Sequence, residues 1–239
     1  MIGDSRYYEI DGEKYPSVTT ILSVISKPAL YKWYEKQGSK KVFEVLAMLK
    51  SGAPIVHDWI CEQLPKDFLK GGSDLSKDAA QKGTDAHSWI ERSLKGETFS
   101  IEEVPLDARP SFERFLEYKT LQPFEIIKTE AVLHHKVFKY AGTMDALARF
   151  PDGRIILLDW KTSKGLWPEY HLQVIAYKEA AEEMTGEKID DVEIVRFGKE
   201  GNPFNPKTDR YIVPREKHDY LFNTFAHALE LWKWQSKKG

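Results

Sequence analysis

Gly142-Thr143-Met144-Asp145 precedes a turn, Pro151-Asp152-Gly153, and the chain then runs Arg154-Ile-Ile-Leu-Leu-Asp159-Trp160-Lys161-Thr-Ser163. Asp159 and Lys161 are two residues apart, so on a strand both side chains point to one face while Trp160 points to the other, into a core. A carboxylate and an ammonium ending an apolar strand are costly to take out of water unless they pair or bind something. Asp152 lies midway between Asp145 and Asp159, so a regular turn sets the two aspartates across from each other on neighbouring strands. Two such carboxylates offer hard oxygen ligands to a divalent metal. A lysine beside them can orient a water or offset charge developing on a phosphate. The expectation is metal-dependent phosphodiester cleavage.

Working outward, residues 124–134, 137–150 and 154–160 read as consecutive strands, because the apolar period changes from 3.6 to 2 after Pro123. A helix over 169–185 follows, ended by Gly186, then strands over 191–197 and 210–213 and a closing helix over 214–235 that starts on Pro214. Upstream, Ala79, Gly83, Ala86, His87, Ile90 and Leu94 share one face of a helix over 78–94, and a second helix spans 106–121. Tyr7 to Tyr15 is a hairpin turning at Asp11-Gly12, and Ser17 caps a short helix behind it. Helical patterns continue over 29–37, 39–50 and 54–64, up to a polar, glycine-containing stretch at 65–76. The expected fold is α/β, a mixed central sheet flanked by helices. The expected division is a hairpin-and-helical N-terminal subdomain over 1–77 and a core over 78–239.

A formal net charge of −2 over 239 residues leaves no global basic footprint, which argues against a protein that coats nucleic acid by bulk electrostatics. It does not exclude a local basic groove offset by an acidic metal site. The single cysteine, Cys61, excludes an internal disulfide and a four-cysteine iron–sulfur or zinc site. The start of the sequence carries no secretory pattern and no apolar run reaches membrane-spanning length, so a cytoplasmic setting with no membrane partner is expected.

Beside Asp145, Asp159 and Lys161, candidate site residues are His87 on its apolar helix face, Glu130 in Ile126-Ile-Lys-Thr-Glu-Ala-Val, and Gln173 with Tyr177, one helical turn apart. Taken singly, each has a bland reading: a core histidine, a solvated strand glutamate, a hairpin salt bridge to Lys161, two polar helix positions. Lys164, on the loop after the lysine strand, is a candidate phosphate contact, and Trp33 and Trp167 are candidates for stacking on bases. His134 and His135 read as surface residues, and His57, His171, His218 and His227 show no metal-ligand spacing.

The ordered set Gly83 and His87, Glu130, Gly142 and Asp145, Asp159 and Lys161, Gln173 and Tyr177 resembles the RecB-type exonuclease branch of the PD-(D/E)XK nuclease superfamily. Tyr15-Pro-Ser-Val-Thr-Thr-Ile-Leu22 also resembles the N-terminal segment of phage-type and mitochondrial genome maintenance exonucleases. The resemblance implies a restriction-endonuclease-like core and a metal site supplied by Asp145 and Asp159, with His87 and Glu130 completing it or orienting its water. Lys161 would position the attacking water, and Gln173 and Tyr177 would contact the substrate backbone or support Lys161. It implies magnesium, replaceable by manganese; members of the branch that carry an iron–sulfur cluster are set apart from this chain by its single cysteine, Cys61, so no such cluster is expected. The partner expected is DNA, single-stranded or with free ends, in phage or bacterial replication, recombination or repair. The alternatives are a structure-specific or nicking endonuclease using the same site, and a non-cleaving nucleic-acid-binding protein of the same fold.

Overall fold

The computed structural model describes residues 6–25, 40 and 85–237. Two residues at φ > 0, Asp11 and Gly12, make the tight turn that joins β1 (Tyr7–Ile10) to β2 (Glu13–Pro16). Ser17 then accepts a hydrogen bond from the Thr20 amide at 3.0 Å and caps α1 (Val18–Leu22). α2 is described over 85–94. A single 3-10 turn (Ile101–Glu103) leads to α3 (Arg109–Leu121), which carries Pro in its first turn.

Past Pro123 come β3 (Glu125–His135), β4 (Tyr140–Arg149) and β5 (Ile155–Lys161), an antiparallel meander. α4 (Pro168–Thr185) closes on Gly186 in the left-handed conformation and returns the chain to β6 (Asp191–Arg196), parallel to β5. A parallel neighbour needs such a crossover. β7 (Arg210–Ile212) adds an antiparallel edge, and α5 (His218–Ser236) ends the chain. The sheet order is β3-β4-β5-β6-β7, the mixed sheet that the change of period foretold.

Both faces of this sheet are covered. One buries Leu147, Leu157, Val192 and Ile194 under α4, α5 and α1, the last contributing Val18, Ile21 and Leu22. The other packs Ile156, Leu158, Trp160 and Phe197 against Phe112, Phe115 and Tyr118 of α3 and Ala86 and Ile90 of α2. Trp160 is buried there as expected, edge-on to Phe115 and Tyr118. Buried charges are paired: Arg210 donates to Glu193 at 2.5 and 2.8 Å and Tyr118 adds its hydroxyl at 3.2 Å, while Asp209 accepts from Arg196 and Arg114.

Two features depart from the sequence reading. The closing helix begins at His218, because Arg215–Lys217 forms a 3-10 turn and His218 turns its ring back to the Val213 carbonyl. His135 is buried rather than exposed, packed against Phe138, Tyr140 and Phe222. Contacts divide the chain into two units, Met1–Ile25 with Gly83–Gly239, and Ser26–Lys82. The helices expected over 29–64 lie, but for residue 40, outside the described residues. No helix among the described residues is long and apolar enough to cross a membrane.

At the start of β6, Asp191 accepts from Arg215 at 2.7 Å and from Arg154, while Asp190 accepts from the Ile155 amide at 2.9 Å. Burial alone would raise the Asp191 carboxyl, but the two guanidinium groups outweigh it and hold it below the usual carboxylate range. A depressed folded-state value contributes stability that is complete above the unfolded value, about pH 4, and is lost as pH falls through the folded one. Asp191→Asn is therefore expected to melt below the wild type at neutral pH, with the two melting temperatures converging below about pH 4. Calorimetry across that range checks it.

Candidate active site

The ladders bring three carboxylates abreast. β3 pairs Thr129 with Ala146 and Ala131 with Met144, which sets Glu130 beside Asp145. β4 and β5 pair as far as Ala146 and Leu158, which sets Asp159 beside Asp145 on the other side. There the strands part. The Trp160 amide, next in line for the ladder, donates instead to Asp145 Oδ2 at 2.5 Å. The main chain of β4 beyond this point bridges to Ser17 at Ala141. Glu130 sits at φ 47, a left-handed conformation that a residue with a Cβ holds only when its surroundings impose it.

From α2, His87 Nδ1 approaches Asp145 Oδ1 at 3.4 Å. His87, Glu130 and Asp145 each present a ligand atom, all within 4.8 Å of one another. Asp159 is almost fully buried and its Oδ2 lies 2.5 Å from Lys161 Nζ. Lys161 is held twice more: Gln173 Oε1 accepts from it at 3.3 Å, and its ammonium sits 4.7 Å from the centre of the Tyr170 ring. Gln173 in turn donates to the Tyr177 hydroxyl at 3.0 Å. Tyr177 is buried against Gly142, where an added Cβ would come 2.3 Å from its ring. The glycine is thus required by the close approach of the tyrosine that fixes the glutamine.

The electrostatics follow from this crowding. Burial first, and the Asp145 charge second, push Glu130 up to about 7. Burial raises Asp159 to about 6 although the Lys161 charge opposes it. Burial would raise Asp145 as well, but His87, Lys161 and the Trp160 amide outweigh it and keep that carboxyl low. Desolvation works against the charged forms of His87 and Lys161, yet the neighbouring carboxylates leave both raised, so Lys161 holds its proton. Two carboxylates and an imidazole at this spacing, with one carboxylate disfavoured by its neighbours, form a donor set that suits a divalent cation.

Of the residues singled out in the sequence, His87, Glu130, Asp145, Asp159, Lys161, Gln173 and Tyr177 come together. Lys164 is on the exposed loop after β5, where its carbonyl accepts from Arg196 at 3.3 Å. Gly83 and Trp33 lie outside the described residues. Sequence reasoning passed over Tyr170, although it stands one helical turn before Gln173, and Tyr8, whose hydroxyl is 2.9 Å from Thr143 Oγ1.

The sequence matches the PD-(D/E)XK nuclease superfamily over residues 56–236, most of its length, and the chain belongs to that superfamily. Among solved structures it is similar to a candidate exonuclease from Eubacterium rectale, at 15% identity and a TM-score of 0.41, covering 63% of this chain and 66% of that one. A search of curated proteins finds no match.

Gly142→Ala is expected to lower stability by about 1–3 kcal/mol through overpacking. The loss should shrink in a Tyr177→Leu background, because the ring it collides with is gone. Urea melts of the double-mutant cycle check this.

Proposed function

We propose that this PD-(D/E)XK nuclease is a metal-dependent DNA exonuclease that hydrolyses phosphodiester bonds from free single-stranded ends, with magnesium as its ion and manganese able to replace it. The observation that carries the reading is the juxtaposition of the His87–Glu130–Asp145 donor set with an Asp159–Lys161 pair held by Gln173 and Tyr170. Action on ends rests on the resemblance of Tyr15–Leu22 to the phage-type and mitochondrial exonucleases. Single-strand preference is supported by Trp167, 43% exposed just beyond the β5 loop, where an unpaired base can stack.

His87, Glu130 and Asp145, with Asp159 beside them, would hold the ion. Bound there, it would polarise the scissile phosphate and make an attacking water more acidic. In hydrolysis a water oxygen adds to phosphorus, the bond to the leaving oxygen breaks, and negative charge grows on the phosphoryl oxygens. Lys161 keeps its proton, so its part is to donate hydrogen bonds to the attacking water or to a phosphate oxygen and to offset that charge. Asp159 and the Tyr170 ring fix the ammonium from two sides, and Gln173, set by Tyr177, takes a third direction. An ammonium held in this way loses little freedom on reaching the transition state.

End-labelled linear single strands should be degraded in magnesium or manganese and spared in chelator, while circular single strands survive. Lys161→Ala should reduce the rate by about 10²–10⁴-fold. Cutting of the circle would instead indicate an endonuclease, and binding without cleavage in any metal would indicate a non-cleaving DNA-binding protein.

Glu130 is repelled by the Asp145 charge, and Glu130→Gln removes that repulsion while keeping the side chain's shape. The variant should therefore melt at or above the wild-type temperature in chelator and lose most of the stabilisation that added manganese gives. Thermal melts with and without the metal read both effects.

A further inference from the structure

The Tyr15-Pro-Ser-Val-Thr-Thr-Ile-Leu22 segment has an apolar half that is buried and a hydroxyl half that serves residue 6. Ser17 N donates to the Arg6 carbonyl at 2.9 Å, and Thr20 Oγ1 donates to the same carbonyl at 3.3 Å. The Arg6 amide donates to Thr20 Oγ1 at 3.0 Å. Both polar groups of the Arg6 main chain are thus held by this one segment, while the side chain is exposed. Its guanidinium lies 4.9 Å from the centre of the Tyr8 ring, and no carboxylate among the described residues pairs with it. Arg92, Arg154 and Arg215 each meet an acidic partner, whereas Arg6 shares its lack of one only with arginines such as Arg149, at the far end of β4 from Asp145.

Arg6 is tied to the site through Tyr8. Tyr8, under its guanidinium, bonds Thr143 Oγ1 at 2.9 Å. Thr143 is two residues before Asp145 on β4 and so shares its side of the strand. Tyr177, which supports Gln173 and Lys161, packs against Gly142, next to Thr143. The hairpin is fixed at other points as well, by Lys139 with Glu13 and Tyr15 and by Tyr7 against Trp232. A cation with a fixed backbone and a ring-supported head, tied through Tyr8 to a cluster of carboxylates in a chain of net charge −2, has the attributes of an anion contact.

We propose that Arg6 contacts a backbone phosphate of the DNA strand held at the Asp145–Lys161 site, and that the Ser17–Thr20 hydroxyls hold it in place for that contact. The inference rests on the nuclease reading above.

The test is binding of fluorescein-labelled oligo-dT in calcium by fluorescence anisotropy as a function of salt, with cleavage in magnesium followed in parallel. The proteins are the wild type, Arg6→Gln, Arg6→Lys and Lys188→Ala. Lys188 is an exposed cation beyond the far end of α4, and its variant controls for net charge. Each single-strand phosphate contact contributes about 0.7 to the slope of log affinity against log salt. Arg6→Gln should lower the slope by about that amount and weaken binding at low salt by about tenfold. Arg6→Lys should keep the wild-type slope, and so should Lys188→Ala.

A wild-type slope in Arg6→Gln overturns the inference, as does an equal drop in Lys188→Ala. A fall in melting temperature and affinity shared equally by Arg6→Gln and Arg6→Lys overturns it too, because it marks a structural role. A wild type that neither binds nor cleaves in any metal overturns the nuclease reading itself, and this inference with it. Normal wild-type cleavage with an unchanged Arg6→Gln slope removes the inference alone.

Discussion

Three carboxylates standing side by side across β3, β4 and β5 cannot all stay charged out of water without compensation, and the architecture around them supplies it. Asp145 remains ionised because a ring nitrogen, an ammonium and a main-chain amide face it. Asp159 has Lys161 at 2.5 Å. Glu130, where burial and the Asp145 charge outweigh the opposing charges of His87 and Lys95, is the member whose charge is least favoured, at about 7. The parting of β4 and β5 beyond Ala146 and Leu158 belongs to the same solution. Had the ladder continued, the Trp160 amide would have gone to a main-chain carbonyl and the Asp145 carboxylate would have lost a donor. The residual frustration at Glu130 is what a cation would relieve.

The support of Lys161 comes from topology. β5 and β6 are parallel, so the chain must cross back over the sheet, and α4 is that crossover. A crossover helix begins where its strand ends, so the first turns of α4 fall beside Lys161, the last residue of β5. Tyr170, Gln173 and Tyr177 are spaced three and four apart, which places them on one face of that helix. The element that completes the sheet therefore also fixes the ammonium, in the crevice at the carboxyl ends of parallel strands where α/β folds carry their ligands.

What could be read from the sequence was whatever a local period or symmetry encodes. The turn centred on Asp152 predicts the β4–β5 register, because a hairpin around a tight turn leaves little freedom. The alternation through Arg154–Lys161 places Trp160 in one core and Asp159 with Lys161 on the opposite face. The unread parts are non-local. Nothing near His135 announces that Phe222, far along the chain, will stack on it. Pro214 marks a helix start in general, but a 3-10 turn intervenes because the His218 ring finds the Val213 carbonyl. Tyr8 becomes part of the site only through Thr143, 135 residues away in sequence. The left-handed backbone of Glu130 is equally invisible, since glutamate has no propensity for it.

That backbone shows how strongly the fold specifies its centre. A glutamate at φ 47 costs on the order of 1–3 kcal/mol, and nothing in its own side chain repays this locally. It persists because the ladder pairs on both sides, Thr129 with Ala146 and Ala131 with Met144, fix the strand in register and leave residue 130 no slack. A one-residue slip of β3 along β4 would turn Leu133 and its neighbours out of the core they share with α4. The packed sheet thus holds one strained residue against its own preference, with its carboxylate beside Asp145 and His87. The strain is retained where the donor atoms converge and at no other position within β3, β4 or β5.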